Sequence, residues 1–434
     1  MCTNRKVLLI SFDFFPDNSP NTYRWIHVVR EWERLGIDVF VVSAKKNGEG
    51  FDNYQEMNNL KIYRVGGSLL DKFRSNKKKT SLNSKFDINR VKKVDLAKKS
   101  FLKKIYDFTW KKVYFPDFAF LWQEPAFKMA KKIIAQEGIY NVISVSWPFS
   151  GHVVASRLKN KYHINWIADT IDPFCLSKAV NNNLLYNKIN YRYEKQTLKS
   201  ADIISVLTEK LKKKYMFMFP NLKGKVLVNH NVFIPYSTSI SNVQENNDSK
   251  IKLVFVGTLT PITRSPENLL KFFVSLLKIE SLSTKLELYL YGDLTQCMRI
   301  IKEYDFLIGK AIFIKGFVPR EAMPSILLDA DILINIGNNN EYQEPSKILE
   351  YVFLGKPIIN VCSIENDSSK EMLREYPLNI NINPQEIEDQ KKCIEVSNFI
   401  WSEKSVAPSI LKSILEKYML NEVQSRYFDM LKFD

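Results

Sequence analysis

The sequence predicts an α/β protein with two domains, each built on a parallel sheet. Short apolar runs alternate with amphipathic, helix-length stretches along almost the whole chain, a pattern typical of parallel sheets covered by helices. At 434 residues the chain is too long for one hydrophobic core and suits two domains of about 200 residues each. Residues 229–250 are rich in Asn, Ser, Asp and Thr, so we expect the linker between the domains there.

The predicted N-terminal domain covers residues 1–228. Its predicted strands are residues 7–10, 39–42, 62–65, 142–145, 166–169, 203–206 and 226–228. Its predicted helices are residues 22–35, 124–137 and 150–162.

The predicted C-terminal domain covers residues 251–410 and repeats the same rhythm. Its predicted strands are residues 253–256, 286–291, 312–314, 332–336 and 358–361. Residues 411–434 predict a C-terminal helix with no further strand after it, which we expect to pack back on the N-terminal domain. Two such domains predict a central cleft between their facing sheet edges, a common place for ligand sites.

The net charge of +16 indicates an anionic partner. Much of the excess lies between residues 72 and 112, where Lys and Arg are interleaved with Leu, Phe, Ile and Trp at helical spacing. Such a helix lies in the interface of an anionic bilayer, so we expect residues 72–112 to be an insertion that contacts a membrane surface. A solvated basic loop, with its helix docked on its own domain, is the alternative. No short nucleic-acid-binding signature is present in the sequence, so nucleic acid is not an expected partner.

Three features of the sequence predict a cytoplasmic protein. No apolar run reaches the roughly 20 residues that a membrane-spanning helix needs. The first apolar block, residues 7–10, is too short for a signal peptide. The five cysteines are scattered and lack metal-site spacing, which is typical of reduced thiols.

The strongest candidate site begins where the predicted strand 332–336 ends. A polar loop leads to Ser346, where a Pro-Ser pair signals a helix start, and Gly355 signals the helix end. Lys347 then occupies the first helical turn, where the helix dipole disfavours a cation unless an anion binds there. Glu350 projects from the same face and could accept hydrogen bonds from hydroxyls attached to that anion. A solvated Lys–Glu pair is the alternative.

A second cation follows the first predicted strand of the same domain. Arg264 precedes Ser265 and Pro266, which together predict another helix start. Its guanidinium can bind phosphate oxygens in a bidentate manner. We therefore expect Arg264 and Lys347 to meet over one diphosphate; an ion pair with a surface carboxylate is the alternative for Arg264.

The N-terminal domain offers weaker candidates at the ends of its strands. After the first strand, Asn18 and Ser19 could present backbone amides to a phosphate, with Arg24 one turn into the following helix. No GxGxxG pattern accompanies them.

Two further strand ends carry polar candidates in this domain. Asp169 and Asp172 could orient a hydroxyl or accept its proton, with helix capping as the alternative for Asp172. His152 opens the helix 150–162 and has either a substrate contact or a structural role.

Asp329 and Asp331 match a metal-binding Asp-x-Asp pattern in the sequence. They lie between a helix and a buried strand rather than at the end of a strand, so we interpret them as structural. We expect neither a metal nor a cofactor.

Four segments together resemble family 4 of the glycosyltransferases, retaining enzymes of the GT-B architecture. They are residues 7–42, residues 144–152 with 166–174, residues 255–266, and residues 316–357. The last segment is most similar to the branch that builds bacterial surface polysaccharides such as capsule or lipopolysaccharide. The resemblance implies two Rossmann-like parallel-sheet domains facing a central cleft.

The resemblance also implies roles for the candidate residues. A nucleotide-sugar donor would bind the C-terminal domain, with Arg264 and Lys347 on its diphosphate and Glu350 on its ribose. We expect Ser346 to help Glu350 orient the nucleoside. The acceptor would bind the N-terminal domain. Such enzymes often carry two glutamates separated by seven residues, but here Tyr342 stands eight positions before Glu350, with Glu341 and Glu344 nearby.

We therefore expect a metal-independent hexosyltransferase at the inner face of the plasma membrane. It would move a sugar from a nucleotide-diphosphate donor to a hydroxyl of a lipid-linked saccharide or polysaccharide precursor, with Arg264, Lys347 and Asp172 as catalytic residues. Two alternatives stay open: a nucleotide-sugar epimerase of the same architecture, and a non-catalytic protein that binds polysaccharide or anionic lipid.

Overall fold

The computed structural model divides the chain into two compact units. The first comprises Met1–Val232 with Leu420–Asp434, and the second comprises Phe233–Met419. The structure describes residues 5–17, 19–46, 52–66, 115–171, 173–177, 180, 184–222, 224–236, 250–402 and 406–433. Asn18, Asp172, the basic segment 72–112 and most of the predicted linker lie outside these residues.

The first unit contains an eight-stranded sheet in the order β3-β4-β2-β1-β5-β6-β7-β8. The strands are β1 (Lys6–Ile10), β2 (Asp38–Ala44), β3 (Tyr54–Met57), β4 (Leu60–Val65), β5 (Asn141–Ser146), β6 (Asn165–Thr170), β7 (Ile203–Val206) and β8 (Val226–Val228). All neighbours pair in parallel except β3 and β4. Among the described residues of this unit the helices are α1 (Pro20–Arg34), α2 (Gln123–Glu137), α3 (Ser150–Lys159), α4 (Leu184–Lys199) and α5 (Glu209–Met218), with 3-10 turns at Phe120–Trp122 and Pro220–Leu222.

The second unit contains a six-stranded parallel sheet in the order β11-β10-β9-β12-β13-β14. The strands are β9 (Ile251–Val256), β10 (Leu286–Tyr291), β11 (Ile312–Gly316), β12 (Ile332–Ile336), β13 (Ile358–Val361) and β14 (Asn379–Ile382). The helices are α6 (Glu267–Leu277), α7 (Met298–Lys302), α8 (Met323–Asp329), α9 (Lys347–Phe353), α10 (Ser368–Leu373), α11 (Gln390–Trp401) and α12 (Pro408–Glu416). Single 3-10 turns lie at Thr295–Cys297, Arg320–Ala322 and Pro384–Glu386.

Alternate residues of β9 supply the hydrophobic cores on the two faces of this sheet. Leu253 and Phe255 join a cluster that includes residues of α6 and α11. Val254 and Val256 join the opposite cluster, which includes residues of α9, α10 and α12. Because successive side chains of a strand point to opposite faces, one apolar run holds both helical layers, and α9 is fixed by the second of them.

The apolar runs that predicted strands are strands in the structure, and the α/β class with two parallel-sheet domains is confirmed. The sequence interpretation assigned no strand to β14, in which Asn and Ile alternate. In the sheet, Asn360 donates a hydrogen bond to Asn381 (2.7 Å) and accepts one from Asn335 (2.7 Å). The amides therefore satisfy one another across three strands, which makes these polar residues compatible with a buried sheet.

The chain ends with a helix, α13 (Leu420–Met430), that belongs to the first unit. Tyr427 packs its ring 4.7 Å from that of Trp25 in α1. Asn165 donates a hydrogen bond to the carbonyl of Met430 (3.0 Å), and Asn141 donates one to that of Lys432 (2.8 Å). The preceding helix, α12, stays with the second unit, so the chain returns to the first unit at residue 420.

Among the residues that the structure describes, no helix combines the length and the apolar character needed to cross a bilayer.

Candidate functional site

The order of the second sheet singles out the carboxyl ends of β9 and β12. From β9 the chain proceeds through β10 to β11 on one side, and from β12 it proceeds through β13 to β14 on the other. In open parallel sheets, ligands bind outside the carboxyl ends of the strands at this switch point. The loop after β9 carries Arg264, and the loop after β12 leads into Lys347.

Hydrogen bonds from Asn339 join these two loops, and a backbone pair closes the first of them. The amide of Asn339 donates to the carbonyl of Thr263 (2.7 Å), and the side chain of Asn339 donates to the carbonyl of Ile262 (3.2 Å). Thr260 and Arg264 exchange a pair of backbone hydrogen bonds of 3.0 and 3.1 Å. The two loops are therefore one connected surface at the switch point.

Arg264 is partly buried in this surface and donates to a neutral group. Its Nε and Nη2 lie 3.1 and 2.8 Å from Oδ1 of Asn338. A Cβ on Gly257, directly after β9, would lie 3.4 Å from its Nη1. Burial lowers the pKa of Arg264, and the negative charge of Asp367 opposes that change. Among the described residues Arg264 forms no ion pair, so its guanidinium is suited to an anionic ligand.

Lys347 and Glu350 form an ion pair in the first turn of α9. Lys347 Nζ lies 2.8 Å from Oε1 and 2.9 Å from Oε2 of Glu350. The hydroxyl of Tyr236 also donates to Oε2. The exposed Ser346 directly precedes the helix, as its sequence signal predicted, and its side chain forms no capping hydrogen bond.

Tyr351 follows Glu350 in α9 and is subject to the charges of both Glu350 and Arg264. It is buried, and burial raises its pKa; the charge of Glu350 adds to this rise and that of Arg264 opposes it. Arg264 and Glu350 therefore both act electrostatically on the side chain of Tyr351. The convergence of Arg264 and Lys347 on one diphosphate stays a prediction.

Glu344 is the carboxylate closest in sequence to this ion pair, and part of it is sequestered. Its Oε2 is inaccessible to solvent and has no hydrogen-bond partner among the described residues. Burial raises the pKa of Glu344 to about 8, with Lys417 opposing the rise and Glu371 adding to it. The carboxyl group of Glu344 is therefore mostly protonated and neutral below that pH.

The other polar residues of this region have structural contacts. Asp331 Oδ2 accepts a hydrogen bond from the amide of Lys252 (2.7 Å), and Asp329 pairs with the ammonium of Lys252 (3.1 Å). Lys356 Nζ donates to the carbonyl of Leu328 (2.5 Å) at the end of α8. These contacts stabilise the start of β12 through Lys252 on β9 and through the end of α8. The loops that carry Arg264 and Lys347 lie instead at the carboxyl ends of β9 and β12.

In the first unit, the switch point lies between β1 and β5. Ser19 is the N-cap of α1, and its Oγ accepts a hydrogen bond from the amide of Thr22 (3.1 Å). Asn21, in the first turn of α1, donates a hydrogen bond to the carbonyl of Trp147 (3.3 Å), which joins the start of α1 to the loop that follows β5. Ser19 therefore stabilises α1 beside the predicted acceptor region.

Arg24 and Asp169 lie in the interior of the first unit, both fully buried. Arg24 Nη2 donates to the hydroxyl of Tyr427 (2.6 Å) and to the carbonyl of Asn229 (3.1 Å). Asp169 accepts hydrogen bonds from Tyr427 (2.5 Å) and Trp25 (3.1 Å). These contacts favour a structural role for both residues, and their predicted roles in substrate binding have no support from this arrangement.

His152 is also fully buried. Its Nδ1 lies 2.7 Å from Ser144 Oγ and its Nε2 lies 3.2 Å from Thr170 Oγ1. Burial lowers the pKa of His152 to about 3, so the ring is neutral at physiological pH. Of the two interpretations of His152, the geometry favours the structural one.

Sequence reasoning missed a charged cluster beside β1 and β2. Lys46 Nζ lies 2.6 Å from Asp13 Oδ1, bonds Asp17 as well, and lies 5.6 Å from the ring centroid of Phe12. Burial raises the pKa of Asp13, and Lys46 opposes that rise. Asp13 and Asp17 follow β1, whereas Lys46 follows β2 about 30 residues later in the sequence. Only the parallel pairing of β1 with β2 brings the lysine to the two aspartates.

The chain consists of two Rossmann-like parallel-sheet domains, and its fold matches that of GT-B glycosyltransferases of known structure. No protein-family model matches the chain, and neither does any curated protein.

Solved glycosyltransferase structures match the chain over almost its full length. A sucrose-phosphate synthase from Thermosynechococcus elongatus matches with a TM-score of 0.65 and 11% identity, covering 98% of both chains. A trehalose-6-phosphate protein from Escherichia coli, bound with UDP-2-fluoro glucose, matches with a TM-score of 0.64 and 12% identity, covering 99% of this chain and 100% of the other. The Anabaena protein HepE, in complex with UDP and glucose, matches with a TM-score of 0.59 and 11% identity, covering 98% of both. At such identities the likeness shows the fold alone.

Proposed function

We propose that the protein is a retaining, metal-independent glycosyltransferase. It transfers a hexose from a nucleoside-diphosphate sugar to a hydroxyl of a lipid-linked saccharide or polysaccharide precursor in bacterial surface-polysaccharide synthesis. The observation that carries this proposal is Arg264, a guanidinium at the switch point of the second sheet that forms no ion pair among the described residues. The ligands bound to structurally similar proteins, UDP-2-fluoro glucose and UDP with glucose, support the same ligand class.

The donor diphosphate binds Arg264 and Lys347 in this proposal. Lys347 exchanges its contact with Glu350 for a phosphate oxygen, which frees carboxylate lone pairs for the ribose hydroxyls. The two cations then stabilise the negative charge that develops on the departing nucleoside diphosphate. Ser346, exposed at the start of α9, offers its hydroxyl to the same ligand.

The acceptor binds the first unit at the carboxyl ends of its strands. In this proposal Asp172 positions the reacting hydroxyl and Asn18 assists in binding the acceptor; both residues lie outside the described part of the chain. Ser19, at the start of α1, is the described residue of this set. The cluster of Lys46, Asp13 and Asp17 lies at the same sheet edge and supplies carboxylates that can accept hydrogen bonds from sugar hydroxyls. The basic segment 72–112 holds the enzyme on the anionic inner face of the plasma membrane.

The test compares Lys347→Met with Lys392→Met. Lys392 pairs with Glu395 three residues later (3.0 Å), so the control removes an ion pair of the same spacing away from the switch point. We expect Lys347→Met to lower sugar transfer about a hundredfold or more, because it removes a cation from the developing charge. The measurement is product formation by mass spectrometry, with nucleoside-diphosphate binding measured by thermal shift.

Near-normal transfer by Lys347→Met would contradict the site assignment. Conversion of the donor sugar without any acceptor would indicate an epimerase instead. Binding to anionic vesicles with no binding of UDP or GDP would indicate the non-catalytic alternative.

A further inference from the structure

Tyr236 lies on the segment that enters the second unit from the first. Three residues earlier, the amide of Phe233 donates to the carbonyl of Tyr418 (2.7 Å). The rings of Phe233 and Tyr236 lie 5.3 and 6.3 Å from that of Phe353, at the end of α9. The segment is therefore packed along the helix that carries the Lys347–Glu350 pair.

The hydroxyl of Tyr236 donates a hydrogen bond to Glu350 Oε2. The same oxygen lies 2.9 Å from Lys347 Nζ, so a phenol and an ammonium both hold one carboxylate oxygen. A carboxylate has about four acceptor positions in all. If Lys347 turns to a phosphate, the hydrogen bond from Tyr236 is the described contact that remains on Glu350.

We propose that Tyr236 is a positioning residue for the donor nucleoside: it holds the Glu350 carboxylate against the ribose hydroxyls and so makes the site select ribonucleotides over deoxyribonucleotides. This inference rests on the proposed function, because it takes the ligand of Glu350 to be a ribose. The phenol fixes the direction of the carboxylate lone pairs. Discrimination against a ligand that lacks a hydroxyl is strong where the site's polar group is then left unpaired.

The test uses Tyr236→Phe, which keeps the ring packed on Phe353 and removes only the hydroxyl. The matched control is Tyr289→Phe, since the hydroxyl of Tyr289 also donates to a glutamate, Glu287 (2.7 Å), on β10. Titration calorimetry measures the affinities of the wild type and both variants for UDP, GDP and their 2′-deoxy forms. Circular dichroism verifies that each variant is folded.

We expect the wild type to prefer the ribonucleotide about tenfold or more, as the loss of one good hydrogen bond requires. Tyr236→Phe should reduce that preference at least fivefold, mainly by weakening the ribonucleotide, while Tyr289→Phe leaves it unchanged. A purely structural role would weaken both nucleotides equally and leave the ratio as it was.

Two failures can be told apart. If the wild type binds neither UDP nor GDP, the proposed function fails and the role of Tyr236 fails with it. If the wild type binds one of them but shows no preference for ribose, or if Tyr236→Phe keeps the full preference, the inference about Tyr236 is wrong and the proposed function stands.

Discussion

Arg264 donates to Asn338, whose amide Nδ2 in turn donates to the carbonyl of Gln343 (3.1 Å). The guanidinium is thus oriented by neutral groups, and no ion pair among the described residues neutralises its positive charge. Lys347 is different, because its ammonium already contacts both oxygens of Glu350. Under the proposed function, a diphosphate bound here would meet Arg264 without an ion-pair partner among the described residues, whereas Lys347 would first have to leave Glu350.

Glu344 yields a prediction about pH. Its pKa is raised from 4.5 to about 8 by burial, so the folded state binds a proton that the unfolded state releases between these values. The free energy of unfolding should therefore fall as the pH rises from about 5 to 8. We expect Glu344→Gln to remove about 1 kcal/mol or more of that decline, since each pKa unit corresponds to about 1.4 kcal/mol.

The measurement is the urea-unfolding free energy of wild type and Glu344→Gln at several pH values. Glu280→Gln serves as the control because Glu280 is exposed on the same unit. Identical pH profiles for wild type and Glu344→Gln would contradict the burial of a neutral carboxyl at this position.

At the scale of elements, most strands were predictable and most of the site geometry was not. Parallel strands buried on both faces are continuous apolar runs, so β9 and β12 stand out in the sequence. That signal is absent from the polar edge strand β3 and from the Asn-rich strand β14. The sequence interpretation also assigned no helix to the residues of α4. Tyr236 could not be assigned from its neighbours, because its partner Glu350 lies 114 residues further along the chain.

Sequence reasoning did place Lys347 and Glu350 together, because a spacing of three residues on a helix is local. The Lys46 cluster and the burial of Arg24 depend on contacts that only the folded sheet creates. The sequence alone does not distinguish a buried arginine from one that binds a ligand. In the structure Arg24 is buried, and Tyr427 of α13 accepts one of its hydrogen bonds, which favours the structural interpretation.

Gly337, directly after β12, gives a prediction for the loop that leads to α9. A Cβ at this position would lie 1.5 Å from Oδ2 of Asp367, whose other oxygen accepts a hydrogen bond from the amide of Ser369 (2.8 Å). Gly337→Ala must displace either the loop or the carboxylate. We expect a loss of about 1–3 kcal/mol of stability and weaker nucleotide binding, measured by urea unfolding and calorimetry.

A double-mutant cycle with Asp367→Ala isolates the collision. If steric overlap is the cause, Gly337→Ala should cost clearly less in the Asp367→Ala background than in the wild type. Equal costs in both backgrounds would show that the overlap is not the cause.

At the scale of the molecule, the C-terminal helix completes the first unit. Tyr427 joins Arg24 and Asp169 through one buried hydroxyl, over 403 and 258 residues of sequence respectively. The first unit is therefore a discontinuous body whose core requires the last residues of the chain.

Tyr427→Phe should destabilise the first unit. Asp169 and Arg24 each lose a hydrogen-bond partner inside the core, which costs about 1–3 kcal/mol. Tyr54→Phe is the control, since the hydroxyl of Tyr54 donates to Glu56 on the exposed strand β3. Unfolding monitored by tryptophan fluorescence reports the change, because Trp25 and Trp32 pack against Tyr427. Equal stability of the two variants would refute the structural role of this hydroxyl.

The most direct measurement of the central claim is a crystal structure of the protein soaked with UDP or GDP. The switch-point site predicts a diphosphate within about 3 Å of the guanidinium of Arg264, with Lys347 turned from Glu350 toward the phosphates. A nucleotide bound elsewhere with Arg264 still held only by Asn338, or an empty site at saturating nucleotide, would contradict it.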